Sequence, residues 1–432
     1  MIMKRYSKFW PKDPSGRVLF VYATLISLFI ISIQTYRSKF AFFYGDDFML
    51  ISRSESAWTY IFQNHNGHYL PIVKGVYEVL FSVFGLTSYI PYLLTSAILN
   101  LFLSMAVAIY LIRSSYAKSV VLFVPSLVLV IPFSAHTIFW GLAALNFVPL
   151  ALLLLYMTVD SRRSRSILTV ILTLVGLGFG GYGLVLIFGI LFSNFFKKQK
   201  DVFIASLLLN IFTGLLYLNQ RDSSEAQSTM DFHVWFFQNF QLLIKLFTPG
   251  LTAGYLPATL FQVIMYVAII LLARDLLSGI FSKRQFQMHN ELTLACTLAA
   301  FTIVIWISRK GVETILASRY VILGFTLCLL VFIRLPHLLE PNPKINPKNR
   351  PFQAYFTLLL VATALLRVPS WLQSPLDINY QSQINKEIVV AELCNGSQSE
   401  KDWSRISQID GLMNLEYSLS SPLWEDFKKL NC

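Results

Sequence analysis

Charge is what this chain has least of. Only 13% of its 432 residues are Asp, Glu, Lys or Arg, while 55% are hydrophobic. A soluble domain carries about twice that charge, so an ordinary water-soluble globule is excluded. The sequence also has no GKS-type phosphate loop, no zinc-ligand spacing and no dinucleotide glycine fingerprint, which argues against an ATP-driven pump. Its apolar segments lack the paired mid-helix charges that a proton-coupled transporter needs. The first apolar run lacks the small-residue cleavage site of a signal peptide and is too long for one. It is therefore expected to stay as a helix.

Long apolar runs are what the chain has instead, and its mean hydropathy is +0.58. Runs of about 18 residues or more suit the hydrocarbon thickness of a bilayer. Helices are expected at 18–36, 92–112, 118–135, 141–158, 166–179, 182–196, 202–218, 254–273, 291–307, 318–335 and 352–366. This is an all-α, polytopic transmembrane bundle of about eleven spans. The net charge of +12 does not call for nucleic acid. Lys4, Arg5, Lys8, Lys12 and Arg17, then Arg162, Arg163 and Arg165, then Lys197, Lys198 and Lys200, and Lys283, Arg284, Lys344, Lys348 and Arg350, all fall in segments assigned to the cytoplasm. That is the positive-inside pattern. It sets the N-terminus (1–17) inside, and an odd number of spans then sets the tail outside. The fifth and sixth spans are separated only by "GLGFGGYG" (176–183). Such a glycine cluster is either two short helices meeting in an aqueous cavity or, more simply, a tight turn outside the membrane.

Three segments stand apart from the spans of the 18–366 membrane domain. The first outside loop, 37–91, contains "SAWTYIFQ" (56–63), whose Trp58, Tyr60 and Phe62 suit an aromatic belt. It also contains "LPIVKGVYEVLFSVFG" (70–85), short and polar for a span, with Lys74 and Glu78 on one helical face. This reads as an amphipathic helix on the membrane surface. A second long outside loop runs from Asn219 to Ala253. The tail, 367–432, is polar and too short for a large domain, so a small helical cap over the outside face is expected. Of the four cysteines, Cys296 and Cys328 sit in apolar segments as inert core residues. Cys394 and Cys432 in the tail are either two free thiols or a disulfide closing about forty residues on the oxidising side.

The residues that can do chemistry gather at the outside ends. "AFFYGDDFML" (41–50) places Asp46 and Asp47 side by side after the first span. Such acids are either solvated loop caps or a catalytic pair. The same loop carries His65 and His68 in "NHNGHYLP" (64–71), a pair suited to a phosphate or a divalent cation. "FSAHTIFWGLAALNF" (133–147) brings His136, Trp140 and Asn146 to the same side. "SRKGVETILASRY" (308–320) sets Arg309, Lys310 and Arg319 there too, against the positive-inside trend. Glu313 is one partner for Arg319; a phosphate at the membrane surface is the other. A carboxylate can take the proton of an acceptor hydroxyl, and cations can stabilise a departing phosphate.

In this order of parts the chain resembles the GT-C superfamily of membrane glycosyltransferases. "YGDDFMLISRS…HYLPIVKGVYEVLFSVFGL" is similar to that superfamily's first-loop pattern, and "ASRYVILGF" (317–325) is similar to a segment near the last helices of bacterial members. The resemblance implies a GT-C bundle with surface helices in its first loop. It also implies transfer of a sugar from a polyprenyl-phosphate donor to an envelope glycan or lipid, at the outer face of a bacterial cytoplasmic membrane. Asp46 or Asp47 would be the base, with Asp46 favoured and its neighbour orienting it or holding a metal. Arg319 would bind the donor phosphate, backed by Arg309, Lys310 and His136. A divalent metal such as Mg or Mn is compatible with the acids and nearby His, but not required. "HYLP" stands where many relatives have Arg before Pro, so His68 is the substitute. The rival readings are a transporter or flippase of a lipid-linked saccharide, a glycan polymerase or ligase, and a scaffold whose acids only cap helices.

Overall fold

The computed structural model describes residues 14–43, 50–51, 57–62, 64–65, 68–116, 118, 120–122, 124–125, 144–219, 234, 269–278, 288–309, 322, 326–327, 329–331, 333–334, 383–384, 386–391, 393–394 and 425–432. Apart from one hairpin of two-residue strands, its regular structure is helical. In chain order the elements are α1 (Pro14–Arg37), α2 (Ala57–Phe62), β1 (Asn64–His65), β2 (His68–Tyr69), α3 (Pro71–Phe84), α4 (Ile90–Arg113), α5 (Val148–Met157), α6 (Arg162–Leu177), a 3-10 turn (Gly180–Tyr182), α7 (Gly183–Phe196), α8 (Lys200–Asn219), α9 (His289–Arg309) and α10 (Glu425–Asn431).

Two described helices, α1 and α4, are long and apolar enough to cross a membrane. Their sequences explain their contact. Ala23 of α1 lies against the α4 face that carries Ala108, and Ser27 and Ser104 share a hydrogen bond of 2.6 Å. Small residues let the two backbones approach, and the hydroxyl pair satisfies itself inside an apolar seam. The outward face of α1 carries Val18, Val21, Tyr22, Leu25, Leu28 and Phe29, all exposed. The same holds for Ile167, Val170, Ile171 and Leu174 of α6, and for Ile204, Leu207, Leu208, Ile211, Phe212 and Leu215 of α8. The spacing is helical, so each helix has one apolar face turned to the core and another turned outward. In water such stripes are an aggregation surface; in lipid they are the natural exterior.

α7 is the central element, touching α5, α6, α8 and α9. Its sequence, GLVLIFGILFSNFF, is apolar on every side, as a surrounded helix requires. A Cβ on Gly189 would collide with the Leu153 side chain of α5, and one on Gly183 with the backbone of Gly176 in α6. The glycine cluster is therefore a tight turn between antiparallel helices: α6 stops at Leu177 and α7 begins at Gly183. Gly180 has φ +58°, and a Cβ there would meet the Leu70 side chain and the Tyr69 carbonyl. No aqueous break is needed at this point.

The helices sort their polar groups to two ends. At one end the C-termini of α4, α5 and α7 meet the N-termini of α6 and α9. Arg113 donates to the Thr158 carbonyl at 3.3 Å, Tyr116 donates to Glu291 at 2.8 Å, and Arg334 pairs with Asp275 at 2.6 Å. Arg165, one of the cations in the segments assigned to the cytoplasm, is fully buried here, 0% exposed. It donates to the carbonyl of Val159 (3.1 Å), to Ser193 Oγ (2.9 Å) and to Asn194 Oδ1 (2.8 Å). Its guanidinium also lies 4.3 Å from the Tyr156 ring centre. Lys197 joins it by donating to the Met157 carbonyl at 2.9 Å. Cations at a helix C-terminus complete orphan carbonyls and oppose the dipole.

Boundaries differ from expectation where backbone groups, not hydropathy, decide. The expected helix 141–158 is interrupted by a turn at Asn146–Phe147, and the regular helix begins at Val148 with Pro149 in its first turn. The last helix before the second cation cluster runs on to Arg309, so Arg309 ends α9 and does not sit in a loop. Helix around 269–278 outlasts its expected end at 273. The span expected at 352–366 lies outside the described residues.

Candidate functional site

The opposite end is built around the first loop. α3 starts with Pro71, whose missing N–H is no loss at a helix start. Gly85 closes it at φ +58°, with its N–H on the Phe81 carbonyl at 3.0 Å. The Ile72 N–H, one of the orphan donors of that start, goes to the Gly178 carbonyl at 3.0 Å. So the first loop docks on the turn between α6 and α7. Opposite it, α3 shows Val79, Val83 and Phe84 to the exterior.

The inward face of α3 forms an aromatic cluster. Phe43 lies edge-on to Tyr89 and Tyr92, with ring centres 5.1 and 5.0 Å apart. Tyr77, Phe81 and Tyr92 complete it, and the Tyr92 hydroxyl donates to the Gly85 carbonyl at 2.8 Å. Leu145, Phe179, Val389 and Phe427 belong to the same cluster. The tail therefore packs on the first loop, with the Phe427 ring 5.8 Å from that of Phe42. Cys394 and Cys432 are joined in a disulfide, their Cα atoms 5.4 Å apart, which ties the helical stretch around Val389 to α10.

Asp46 and Asp47 lie outside the described residues, within 44–49. The chain on both sides of them does not. Phe43 before them and Leu50 and Ile51 after them are fully buried in the aromatic cluster. Leu50 is held through its backbone: the Tyr60 hydroxyl donates to its carbonyl at 3.0 Å. Tyr60 in turn receives a hydrogen bond on its own carbonyl from Lys74 Nζ at 3.0 Å, and the same ammonium sits 4.3 Å over its ring. Lys74 is 1% exposed, and burial pushes its ammonium down to about 8.

Two expectations for this loop are corrected. Lys74 is not on the wetted face of a surface helix; it is buried beside Val73, Tyr77 and Leu70, and its head finds a carbonyl and a ring. Tyr60 is not an aromatic-belt residue; it is buried, with its hydroxyl donated to Leu50. Of the expected pair, His65 and His68 stand directly opposite in the β1–β2 hairpin. Asn66-Gly67 between them is the dipeptide that favours such a two-residue connection, a signal in plain sight. Asn146 is buried at the start of the α5 region, next in sequence to Leu145 of the aromatic cluster. Arg309 closes α9. His136, Lys310 and Arg319 lie outside the described residues, and among those described no three His, Cys, Asp or Glu gather as a metal site. No protein-family model, characterised protein or solved structure matches the chain.

Proposed function

We propose that this chain is an integral-membrane glycosyltransferase of GT-C architecture, with about eleven spans in a bacterial cytoplasmic membrane. The observation that carries the reading is the burial of the chain on both sides of the acidic pair. Phe43 and Leu50 bracket Asp46 and Asp47 and are both sunk in one aromatic cluster. A loop cap needs no such bracketing, whereas a catalytic pair gains rate from being held still. Three further facts support it. The exposed apolar stripes of α6 and α8 suit more spans than α1 and α4 alone. The Cys394–Cys432 disulfide suits an oxidising compartment. The Phe42–Phe427 contact ties that tail to the first loop, which fits one shared side of the membrane for both.

In this reading a polyprenyl-phosphate sugar lies with its tail between helices and its head at the first loop. Asp46 takes the proton of an acceptor hydroxyl on an envelope glycan or lipid. The freed oxygen attacks the anomeric carbon, the bond from that carbon to the phosphate oxygen breaks, and polyprenyl phosphate leaves with inversion. Arg319, with Arg309, Lys310 and His136, takes up the charge that builds on the phosphate. Asp47 orients Asp46; were a divalent metal bound, Asp47 with His65 and His68 would hold it and it would supply Lewis-acid stabilisation of the phosphate.

The transporter reading asks for polar groups at the inner end as well, and buried ones exist there. Their donors, however, are turned on helix-end carbonyls and on Ser193 and Asn194, which leaves them as knots between helices. The deciding experiment is mass spectrometry of envelope glycans and glycolipids from a strain lacking the gene. It is repeated with the wild-type chain, Asp46→Asn or Asp47→Asn restored. One sugar-mass increment should vanish, return with wild type and stay absent with an Asp variant. If no component changes by a sugar mass, the transporter or scaffold reading takes over.

A further inference from the structure

We infer that the corner where α6 and α8 begin is a binding surface for anionic phospholipids, with the phosphates at Arg163 and Lys200 and the acyl chains along the apolar face below each. The inference rests on the membrane placement of these helices and not on sugar transfer. Between residues 160 and 201 the chain carries six Lys and Arg against two acids, Asp160 and Asp201. The fold brings both ends of that stretch together. Arg162 pairs with Asp201 at 2.6 Å, which joins the first turns of α6 and α8, and Lys197 lies 3.8 Å from Asp160. Both acids are thereby engaged. Arg163 and Lys200, each next in sequence to the Arg162–Asp201 bridge, are exposed and have no ion-pair partner among the described residues. The positive ends of two helix dipoles add to the field at this corner.

What lies beneath these two cations selects the partner. Ile167, Ile171 and Leu174 follow Arg163 at i+4, i+8 and i+11, and all three are exposed. Ile204, Leu208, Ile211 and Leu215 follow Lys200 at i+4, i+8, i+11 and i+15, and are exposed too. These offsets keep one face of a helix. Each cation therefore stands at the head of its own apolar stripe. From Arg163 to Leu174 the stripe runs about 16 Å, roughly half the hydrocarbon thickness of a bilayer. A charged head over an apolar strip one leaflet deep fits a phospholipid rather than an acidic protein. An uncompensated pair of cations favours an anionic headgroup over a zwitterionic one, whose own cation would oppose them. The pattern is not general to the exterior of the bundle: the exposed stripe of α4, Ile90, Leu94 and Ile98, starts with no cation at its head.

The test uses the full chain purified in a neutral maltoside detergent. Native mass spectrometry counts bound dioleoyl phosphatidylglycerol and dioleoyl phosphatidylcholine. The wild type should hold the anionic lipid about tenfold more tightly, and high salt should shrink that preference. Arg163→Gln combined with Lys200→Gln should bring the two lipids to within about twofold of each other. Its melting temperature should stay within about 2 °C of the wild type, since both side chains are on the surface. Lys428→Gln with Lys429→Gln, the same loss of charge in α10, should leave the preference intact. Glycerol 3-phosphate, a headgroup without chains, should not displace the bound lipid. Equal retention of the two lipids by the wild type overturns the inference. So does an undiminished preference in the Arg163/Lys200 variant, or displacement by glycerol 3-phosphate. No step uses a glycan, so a failed glycosyltransferase reading is told apart from a failed lipid surface. Release of the chain from membranes by alkaline carbonate sinks the membrane reading and the lipid surface together.

Discussion

Arg165 and Lys74 are both buried cations, and they sit at opposite ends of the bundle. Arg165 lies where the α5 end meets α6 and α7, and its donors are spread over carbonyl and side-chain oxygens around that junction. Tyr156 extends that knot by donating to Asn194 at 2.7 Å and sharing a hydrogen bond of 2.8 Å with Thr169. Lys74 donates to the carbonyl of a loop residue, Tyr60, and rests on its ring. The first cation joins helices that would otherwise leave orphan carbonyls in an apolar interior. The second holds a short loop helix that hydropathy alone would leave loose. On the proposed topology the Arg165 end is the inner one and the first-loop end the outer one.

Substitutions can separate the two ends. The largest expected effect is at the outer one: Asp46→Asn or Asp47→Asn should cut glycan transfer by about 100-fold to 10,000-fold, with the melting temperature unchanged. Glycan mass spectrometry and a thermal melt of the same preparations check this. The inner end should answer the other way. Arg165→Met leaves the Val159 carbonyl, Ser193 and Asn194 without this donor, at about 1–3 kcal/mol for each buried polar group. A loss of roughly 4 kcal/mol follows, seen as a lower melting temperature and poor recovery from membranes, while the protein that survives keeps its turnover. Arg165→Lys should recover only part of this, because an ammonium cannot fork to several acceptors. If Arg165→Met abolishes transfer without lowering the melt, the inner end is a substrate site and the contrast fails.

The two ends are unequally legible in the sequence. Helices such as α1, α4, α7 and α8 are visible because a long apolar run has one common solution. The glycine turn is legible as a break, but not as the seat of the first loop, since nothing local says that Ile72 will donate to Gly178. Arg165 looks like one more inside cation; its burial depends on Ser193 and Asn194, a whole helix away in sequence. Lys74 misleads for a related reason. A lysine and a glutamate four apart signal a wet face only if no long-range partner takes the lysine inward, and Tyr60 does. Hydropathy patterns report transfer to a uniform medium, whereas these side chains answer to single acceptors.

The tail offers a smaller test. The disulfide joins residues 38 apart, and closing a loop of that size is worth about 4 kcal/mol to the tail that it organises. Cys394→Ser, or reduction of the folded protein, should free Phe427 from Phe42 and raise protease cleavage between 395 and 424. Transfer should fall severalfold, since Phe42 adjoins the Phe43 anchor. Mobility on a non-reducing gel after thiol alkylation checks the bond itself, and a bond absent from membrane-isolated protein would place the tail on the reducing side.

The smallest expected effect compares the two ends directly through pH. Lys74 and Lys197 are both held down to about 8 from an ordinary 10.5, Lys74 by burial, Lys197 by burial and by the Arg165 charge, against the pull of Asp160. Between about pH 8 and 10.5 the folded chain has then released these protons while the unfolded chain keeps them. Stability attributable to each lysine therefore rises with pH across that window, because the cost of a buried charge is being removed. Below about pH 8 each lysine is protonated in both states and its contribution is flat. Melting the wild type and Lys74→Met side by side isolates one group: the wild type should gain on the variant by about 1–2 °C over the window, and Lys197→Met should show the same sign. A wild type that loses ground to Lys74→Met between pH 8 and 10.5 would mean that the ammonium is stabilised where it lies.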